Sequence, residues 1–306
     1  MTQDPVAPPT CSACLSTDLT HLGLTTEGRY ALFGCRGCGT QAFRDTAPVA
    51  DTDTSEYWEA FKFEVYGHDA VRSAFEVRYG DMLDVAAQHV DPLHSLIDVG
   101  CGIGNFVHYA GKRGLDASGV DVSPRAVEAA RQRGLRVHLT DELPTQVADG
   151  SVDALTMWDV VEHLLTPYDV LAGAVAKVRP GGAVLFETPD GAFPVRRALL
   201  ALNRLTRGRV NLTGPMYYWE HKVYFTESGL QALLDRVGVD VVSVQRLTSV
   251  REKMSCDFGL HAEQGSGISK VLSRAWPLLE SVFRRLGRGN KLMVVGVRRQ
   301  PSPPAA

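Results

Sequence analysis

Short apolar runs recur along the middle of the chain, separated by polar segments of helical spacing. Leu96-Ile97, Ala117–Val122, Val137–Leu139, Val152–Val160 and Ala183–Glu187 are short, mainly apolar stretches rich in Val, Leu and Ala. That is the pattern of buried parallel strands. The intervening segments predict helices. Phe106-Val107 follow the first strand, and Ser123-Pro124 opens a helix after the second, with Ser as N-cap and Pro in its first turn. Arg179-Pro180-Gly181-Gly182 predicts a turn before the fifth strand. Thr226 and Glu227 start a helix reaching Val237, and Val239–Leu247 and Leu292–Val297 read as two further strands. Strands alternating with helices predict an α/β domain with a parallel sheet. Upstream, Ser55–Gly80 is rich in aromatics. Trp58, Phe61 and Val65, then Val71, Phe75 and Tyr79, fit helical faces. They predict either helices packed on the core or a lid that brings Tyr57 or Tyr66 to a ligand.

The first strand carries the most informative chemistry. It runs through Asp98 into Gly100, Cys101, Gly102, Ile103, Gly104 and Asn105. A glycine turn between a strand and a helix lets a nucleotide approach the backbone closely. The spacing is not G-x-G-x-x-G, the fingerprint that seats a pyrophosphate, because the third glycine comes one residue early. Asp121 closes the second strand about 20 residues further on, where a carboxylate accepts hydrogen bonds from ribose hydroxyls. The pattern D-x-G-x-G-x-G resembles motif I of the class I S-adenosylmethionine (SAM) methyltransferases. The resemblance covers roughly residues 70 to 300. It implies a Rossmann-like α/β fold with a seven-stranded sheet whose last two strands pair antiparallel at the edge. It also implies SAM as cofactor, held by Asp98, Gly100, Cys101, Gly102, Gly104 and Asn105, by Asp121 and Val122, by Asp141 and Glu142 at the adenine, and by Trp158.

Composition narrows the class. At 306 residues the chain can bury one large core and a small accessory module. The formal charge of −3 gives no basic field for nucleic acid. No apolar run reaches the roughly 18 residues of a membrane span. Residues 1–9 are proline-rich without the apolar core of a secretory signal, so the expected compartment is the cytoplasm. The expected organisation is a lead-in over 1–9, a cysteine module over 10–45, N-terminal helices or lid over 46–90, a methyltransferase domain over 91–300 and a tail over 301–306.

Cys11-x-x-Cys14 and Cys35-x-x-Cys38 are paired knuckles, the ligand pattern of a structural zinc ribbon. About thirty residues cannot build a core, so the metal would supply the folding energy of its own module. Disulfides are disfavoured in a reducing compartment, and a redox pair needs no twin. Four thiolates leave zinc no open position for catalysis.

The acceptor site is expected in the excursion Thr188–Phe225, beyond the carboxyl end of the fifth strand. It contains Tyr218-x-Glu220-His221. A histidine beside a carboxylate can be held in one tautomer and take the proton that methyl transfer to a hydroxyl or enol carbon releases. The zinc-ribbon-plus-methyltransferase layout resembles the nucleotide-sugar C-methyltransferases, in which a Tyr-x-Glu-His loop lines the sugar and supplies the base. That resemblance implies Tyr218, Glu220 and His221 as catalytic residues. Those enzymes carry a further C-terminal domain that this sequence does not show. A rival set, Asp159, Glu162 and His163, resembles the Glu-x-x-Glu-His motif of quinone-pathway O-methyltransferases and could hold a divalent ion on an acceptor hydroxyl. Arg196, Arg197, Arg204, Arg207 and Arg209 alternate with leucines and have no acid among them. They read as a solvated face, a diphosphate clamp or a basic amphipathic helix on a membrane. The main expectation is methylation of a small molecule such as a sugar nucleotide. The alternatives are O-methylation of a lipid-like or quinone acceptor at a membrane surface, or a non-catalytic SAM-binding scaffold.

Overall fold

The computed structural model describes residues 10–26, 30–45, 63, 65–214, 216–217, 220–253, 281–283 and 285–300. Eleven strands lie among them: β1 (Leu19–Thr26), β2 (Tyr30–Cys35), β3 (Gln41–Asp45), β4 (Ser95–Val99), β5 (Asp116–Asp121), β6 (Val137–Leu139), β7 (Val152–Trp158), β8 (Val178–Pro189), β9 (Val223–Tyr224), β10 (Val239–Leu247) and β11 (Lys291–Arg298). Seven form the central sheet in the order β10-β11-β8-β7-β4-β5-β6. β4 to β8 run parallel, while β11 is antiparallel to both β8 and β10. The chain builds outward from β4 to β5 and β6, then returns to β7 on its other side. The crevice beyond β4 and β7 is therefore the switch point at which such sheets bind ligands.

Side chains alternate across this sheet, as the pleat requires. Leu96, Ala183, Leu185, Met293 and Val295 pack with Phe106 and with Val71, Phe75, Tyr79, Met82 and Leu83 of the helix Asp69–Ala87. Ile97, Val99, Val184, Phe186, Leu292 and Val294 pack on the opposite side with Leu171 and Val175 of the helix Pro167–Lys177 and Leu230 and Leu233 of the helix Glu227–Arg236. The aromatic face at Val71, Phe75 and Tyr79 is therefore a core face. Tyr57, Trp58 and Phe61 lie outside the described residues.

Two predicted boundaries shift for local reasons. The segment 179–182 is not a turn but part of β8, which runs from Val178. A Cβ on Gly182 would lie 2.6 Å from the Asp153 carbonyl oxygen, so glycine lets β8 press against β7 where their register slips between Val152 and Ala154. β7 stops at Trp158 because Asp159 adopts φ 54°, a left-handed turn that takes the chain out of the sheet.

The cysteine module departs most from expectation. Its strands form a second sheet, β1-β2-β3-β9, whose last strand comes from the excursion before the helix Glu227–Arg236. Cys11, Ala13, Cys35 and Ala42 share one apolar cluster with Phe225, Leu230 and Leu233. Thr226 accepts from the Gly229 amide at 3.1 Å as N-cap and donates its hydroxyl to the Cys38 carbonyl at 2.5 Å. Arg236 at the other end of that helix donates to the Ser12 and Ala13 carbonyls at 3.2 and 2.9 Å. The module is thus a layer of the core, not a separate body whose folding ends at its own border. A Cβ on Gly229 would fall onto Thr40 Oγ1. Gly229→Ala is therefore expected to destabilise the whole protein by about 1–3 kcal/mol. Circular dichroism and thiol exposure followed through thermal unfolding should shift together. A thiol transition that moves alone would make the module independent.

Candidate functional site

The glycine loop leaves β4 with three residues in the left-handed region, Gly100 (φ 76°), Gly102 (φ 54°) and Gly104 (φ 78°). Their reasons differ. A Cβ on Gly100 would overlap Val160, and one on Gly104 would lie 2.5 Å from Leu135 Cδ1. At Gly102 a Cβ would meet nothing within 4 Å. The open cradle is therefore at Gly102, whose amide donates to Asp121 Oδ2 at 2.7 Å. Asp121 Oδ1 accepts from the Ser123 amide at 2.9 Å, so the helix Pro124–Gln132 and the loop share one carboxylate. Beside it Val122 is 79% exposed, an apolar surface at the carboxyl end of β5 where a flat base would find cover. Asp98 is buried and accepts from Thr156 Oγ1 at 2.7 Å. Burial lifts its pKa to about 8; the Thr156 bond opposes the rise and Asp121 adds to it.

The remaining expected cofactor residues differ in their surroundings. Cys101 is buried, filling the space that Gly119 leaves in β5. Asn105 ties the loop down, donating to the Tyr66 carbonyl at 2.9 Å and accepting from Arg133 at 3.1 Å. Trp158 meets Tyr79 edge-on and Phe106 at a tilt, at centroid distances of 4.5 and 5.2 Å, and its buried indole N–H has no hydrogen-bond partner among the described residues. Asp141 is exposed, whereas Glu142 turns back to accept from the Leu139 amide at 3.1 Å and so shapes the turn after β6.

A second cluster lies past the ends of β7 and β8. The 3₁₀ turn Val161–His163 carries Glu162 inward, where it is fully buried and accepts from Thr188 Oγ1 at 2.9 Å. Burial, reinforced by Asp159, raises its pKa to about 8. His163 Nδ1 lies 3.0 Å from the Glu220 carbonyl oxygen. A carbonyl only accepts, so Nδ1 carries the hydrogen and Nε2 is the basic nitrogen. The His163 ring meets that of His221 edge-on at 4.7 Å. Burial, then His163 and Lys291, hold His221 well below the ordinary imidazole value, so it is neutral at pH 7. Glu162, His163 and His221 each offer one ligand atom within 4.8 Å of the others.

The two expected acceptor sets are thereby joined and reshuffled. His221 enters beside Glu162 and His163, and Asp159 leaves them. Asp159 is held by Lys253 at 3.0 Å and by Lys291, and these two cations hold its carboxyl far below its ordinary range despite burial. The Glu220 atom that meets His163 is its backbone oxygen. Tyr218 lies outside the described residues. Sequence reasoning missed Lys291 and Lys253, whose role depends on contacts 132 and 94 residues away. It also missed Arg78, which clamps both oxygens of Glu187 at 3.0 and 3.1 Å behind the site. An arginine on an otherwise apolar helical face was the available signal.

The four cysteines converge, with Cys11 Sγ 3.7 Å from Cys38 Sγ and Cys14 Sγ 3.5 Å from Cys35 Sγ, all four within 4.8 Å. Tetrahedral Zn–S bonds of about 2.3 Å place neighbouring sulfurs about 3.8 Å apart. A disulfide would bring them to about 2.05 Å. The donor set and its spacing fit zinc.

Comparison with known proteins agrees with this geometry. The family model for a methyltransferase domain matches residues 71–244. The ubiquinone biosynthesis O-methyltransferase of Bordetella avium (strain 197N) is 34% identical over 171 residues, 51% of this chain and 68% of that protein. The ribosomal protein L11 methyltransferase of Burkholderia vietnamiensis (strain G4 / LMG 22486) is 40% identical over 101 residues, 32% of each chain. A SAM-dependent methyltransferase from Archaeoglobus fulgidus shares the fold with a TM-score of 0.50 at 15% identity, over 79% of this chain and all of that one. The Haemonchus contortus phosphoethanolamine N-methyltransferase 2, solved with SAM, also has a TM-score of 0.50 at 15% identity, over 85% of this chain and 62% of that one. The chain belongs to the methyltransferase-domain family and is a SAM-dependent methyltransferase.

Proposed function

We propose that this enzyme O-methylates a hydroxylated, quinone-type acceptor at a membrane surface, with His221 taking the proton and the four cysteines holding a structural zinc. The observation that carries the reading is the convergence of Glu162, His163 and His221 past the ends of β7 and β8, with His221 held neutral by burial. The named relatives favour a quinone-type acceptor over the sugar nucleotide that the Tyr-x-Glu-His loop brought forward.

In this reading the cofactor supplies a methyl group on a sulfonium, open to in-line displacement by the acceptor oxygen. The chain's part is to hold and to deprotonate. The Gly102 cradle takes the amino-acid end of SAM, Asp121 the ribose and Val122 the adenine face. His163 is fixed by the Glu220 carbonyl and in turn buttresses the His221 ring. A neutral imidazole is the form that accepts a proton. The same three side chains could instead hold a divalent ion on the acceptor oxygen. Lys291 stands close enough to lower Glu162 and His221 alike, and that ammonium opposes a dication. The base reading is therefore preferred.

The membrane term rests on the helix Pro194–Leu205 and the turn after it. Leu202, Leu205 and Val210 are exposed beside Arg197, Arg204, Arg207 and Arg209. No acid lies between residues 191 and 219 of a chain whose net charge is −3. Apolar side chains set in arginines suit an anionic bilayer surface.

Three outcomes are expected. A cation bound against Asp98 favours its ionised form, so SAM binding at pH 7 should release close to one proton, and affinity should rise with pH and level off above about 8. Titration calorimetry in buffers of different ionisation enthalpy measures this, and Asp98→Asn should abolish the dependence. His221→Ala should lower turnover on a catechol-type acceptor by about 10² to 10⁴ while SAM binding persists. In the parent enzyme the acid limb of kcat should fall below the ordinary imidazole value of about 6.5. Loss of rate under a chelator that leaves the cysteine-bound zinc in place, restored by magnesium or manganese, would replace the base by a metal. Finally, the protein should sediment with vesicles containing phosphatidylglycerol and not with pure phosphatidylcholine. Leu205→Glu combined with Arg209→Glu should abolish sedimentation, and equal binding to both vesicles would remove the membrane from the proposal.

A further inference from the structure

We infer that the cysteine sheet is a positioning element of the acceptor site, and that Gln41 is the residue through which it holds the loop bearing His221. The inference rests on the methyltransferase reading of that loop and on zinc in the cysteine site.

The loop is fastened to the cysteine sheet on both sides of His221. Before it, the Tyr217 hydroxyl donates to Gln41 Oε1 at 2.7 Å. After it, the Phe43 amide donates to the Lys222 carbonyl at 3.0 Å, and Val223 and Tyr224 pair with Ala42 and Gln41 as an antiparallel strand. Gln41 also donates its amide to the Gly191 carbonyl at 3.4 Å. It is 8% exposed, and it joins the start of the excursion to its end. Phe43 packs edge-on against both Tyr217 and Tyr224, at 6.3 Å each.

What places Gln41 is the second knuckle. The Cys35 amide donates to the Thr40 carbonyl at 2.8 Å and the Gly39 amide to the Cys35 carbonyl at 2.9 Å, so β3 starts directly out of the Cys35–Cys38 turn. The Cys38 carbonyl takes the Thr226 hydroxyl just past the loop. A metal that clamps the four sulfurs fixes this turn, the turn fixes Gln41, and Gln41 with β3 fixes Tyr217 and the segment from Lys222 to Tyr224. On its other side the Glu220 carbonyl meets His163 of the 3₁₀ turn that follows β7. The glycine loop lies at the carboxyl ends of β4 and β5, outside this chain of contacts, so the coupling should reach the acceptor side and spare the cofactor side.

The test uses the full-length protein with three perturbations: Gln41→Met, which keeps length and removes both hydrogen bonds, Tyr217→Phe, which removes one, and zinc withdrawal by a chelator. Elemental analysis of the untreated protein comes first. SAM affinity by calorimetry reports that the core is folded and should stay within about twofold. Amide exchange across Lys222–Phe225 should quicken about tenfold in each case. The ring resonance of His221, in protein labelled at histidine, should shift or broaden, a signature that a merely stabilising contact elsewhere would leave in place. If Gln41→Met does not fold, Tyr217→Phe carries the same readings. Unchanged exchange and an unmoved His221 resonance in folded, SAM-binding variants overturn the inference. A protein without zinc whose His221 still responds to Gln41→Met refutes the metal and keeps the positioning role.

Discussion

Asp159 is the constraint on which the Glu162–His163–His221 edge depends. It ends β7 in a left-handed turn, its amide donates to the Glu187 carbonyl at 2.9 Å, and its carboxylate binds Lys291 at the start of β11 and Lys253 beyond β10. One residue thus fixes the spacing of three strand ends. A non-glycine residue at positive φ costs about 1–3 kcal/mol and persists only where its surroundings over-determine it. Here two ammonium groups do so. The same turn aims the next residues: Glu162 goes down to Thr188 and His163 across to the Glu220 carbonyl. The cluster of Glu162, His163 and His221 is downstream of an ion pair that is not part of it.

The second sheet follows a similar logic from the other direction. A small cysteine module was expected to fold on its metal and stop there. Its cysteines instead share an apolar cluster with Phe225 and Leu230, and its edge strand is completed by β9. An open strand edge is a liability, and β9 covers the edge that β3 would leave. Only two residue pairs do this, yet they arise from the segment that carries His221. Stability of the module and placement of His221 therefore draw on the same contacts.

What the sequence disclosed was local. The glycine loop, Asp121 and the five parallel strands could be read because each signal lies within a few residues of its neighbours, and spacing alone separated G-x-G-x-G from the dinucleotide fingerprint. The cysteine pairs were legible for the same reason, and their sulfurs do converge. The misreadings were long-range. Asp159 looked like a third ligand because it precedes Glu162 and His163 by three and four positions, but its partners lie 94 and 132 residues away. The Glu220 backbone oxygen reaches His163, a contact across 57 residues that no local spacing announces. Residues 179–182 read as a turn because glycine usually marks one, and only the closeness of Asp153 explains why a strand needs glycine there.

Two buried carboxylates on this edge, Asp98 and Asp159, show how the protein divides its chemistry. Both leave water on folding, and burial alone pushes each toward the neutral acid. Asp98 has one hydroxyl and a neighbouring carboxylate for company, and its pKa rises to about 8. Asp159 has two lysines, and its pKa falls. A carboxylate already matched by the chain's own cations has no charge to offer a ligand and serves as framework. One left unmatched is held in a state that an arriving cation improves. SAM is such a cation, at its sulfonium and its ammonium alike. The glycine-loop side is thus electrostatically incomplete as the protein folds, while the turn at Asp159 is complete. A cationic cofactor therefore gains more beside Asp98 than beside the lysine-matched Asp159.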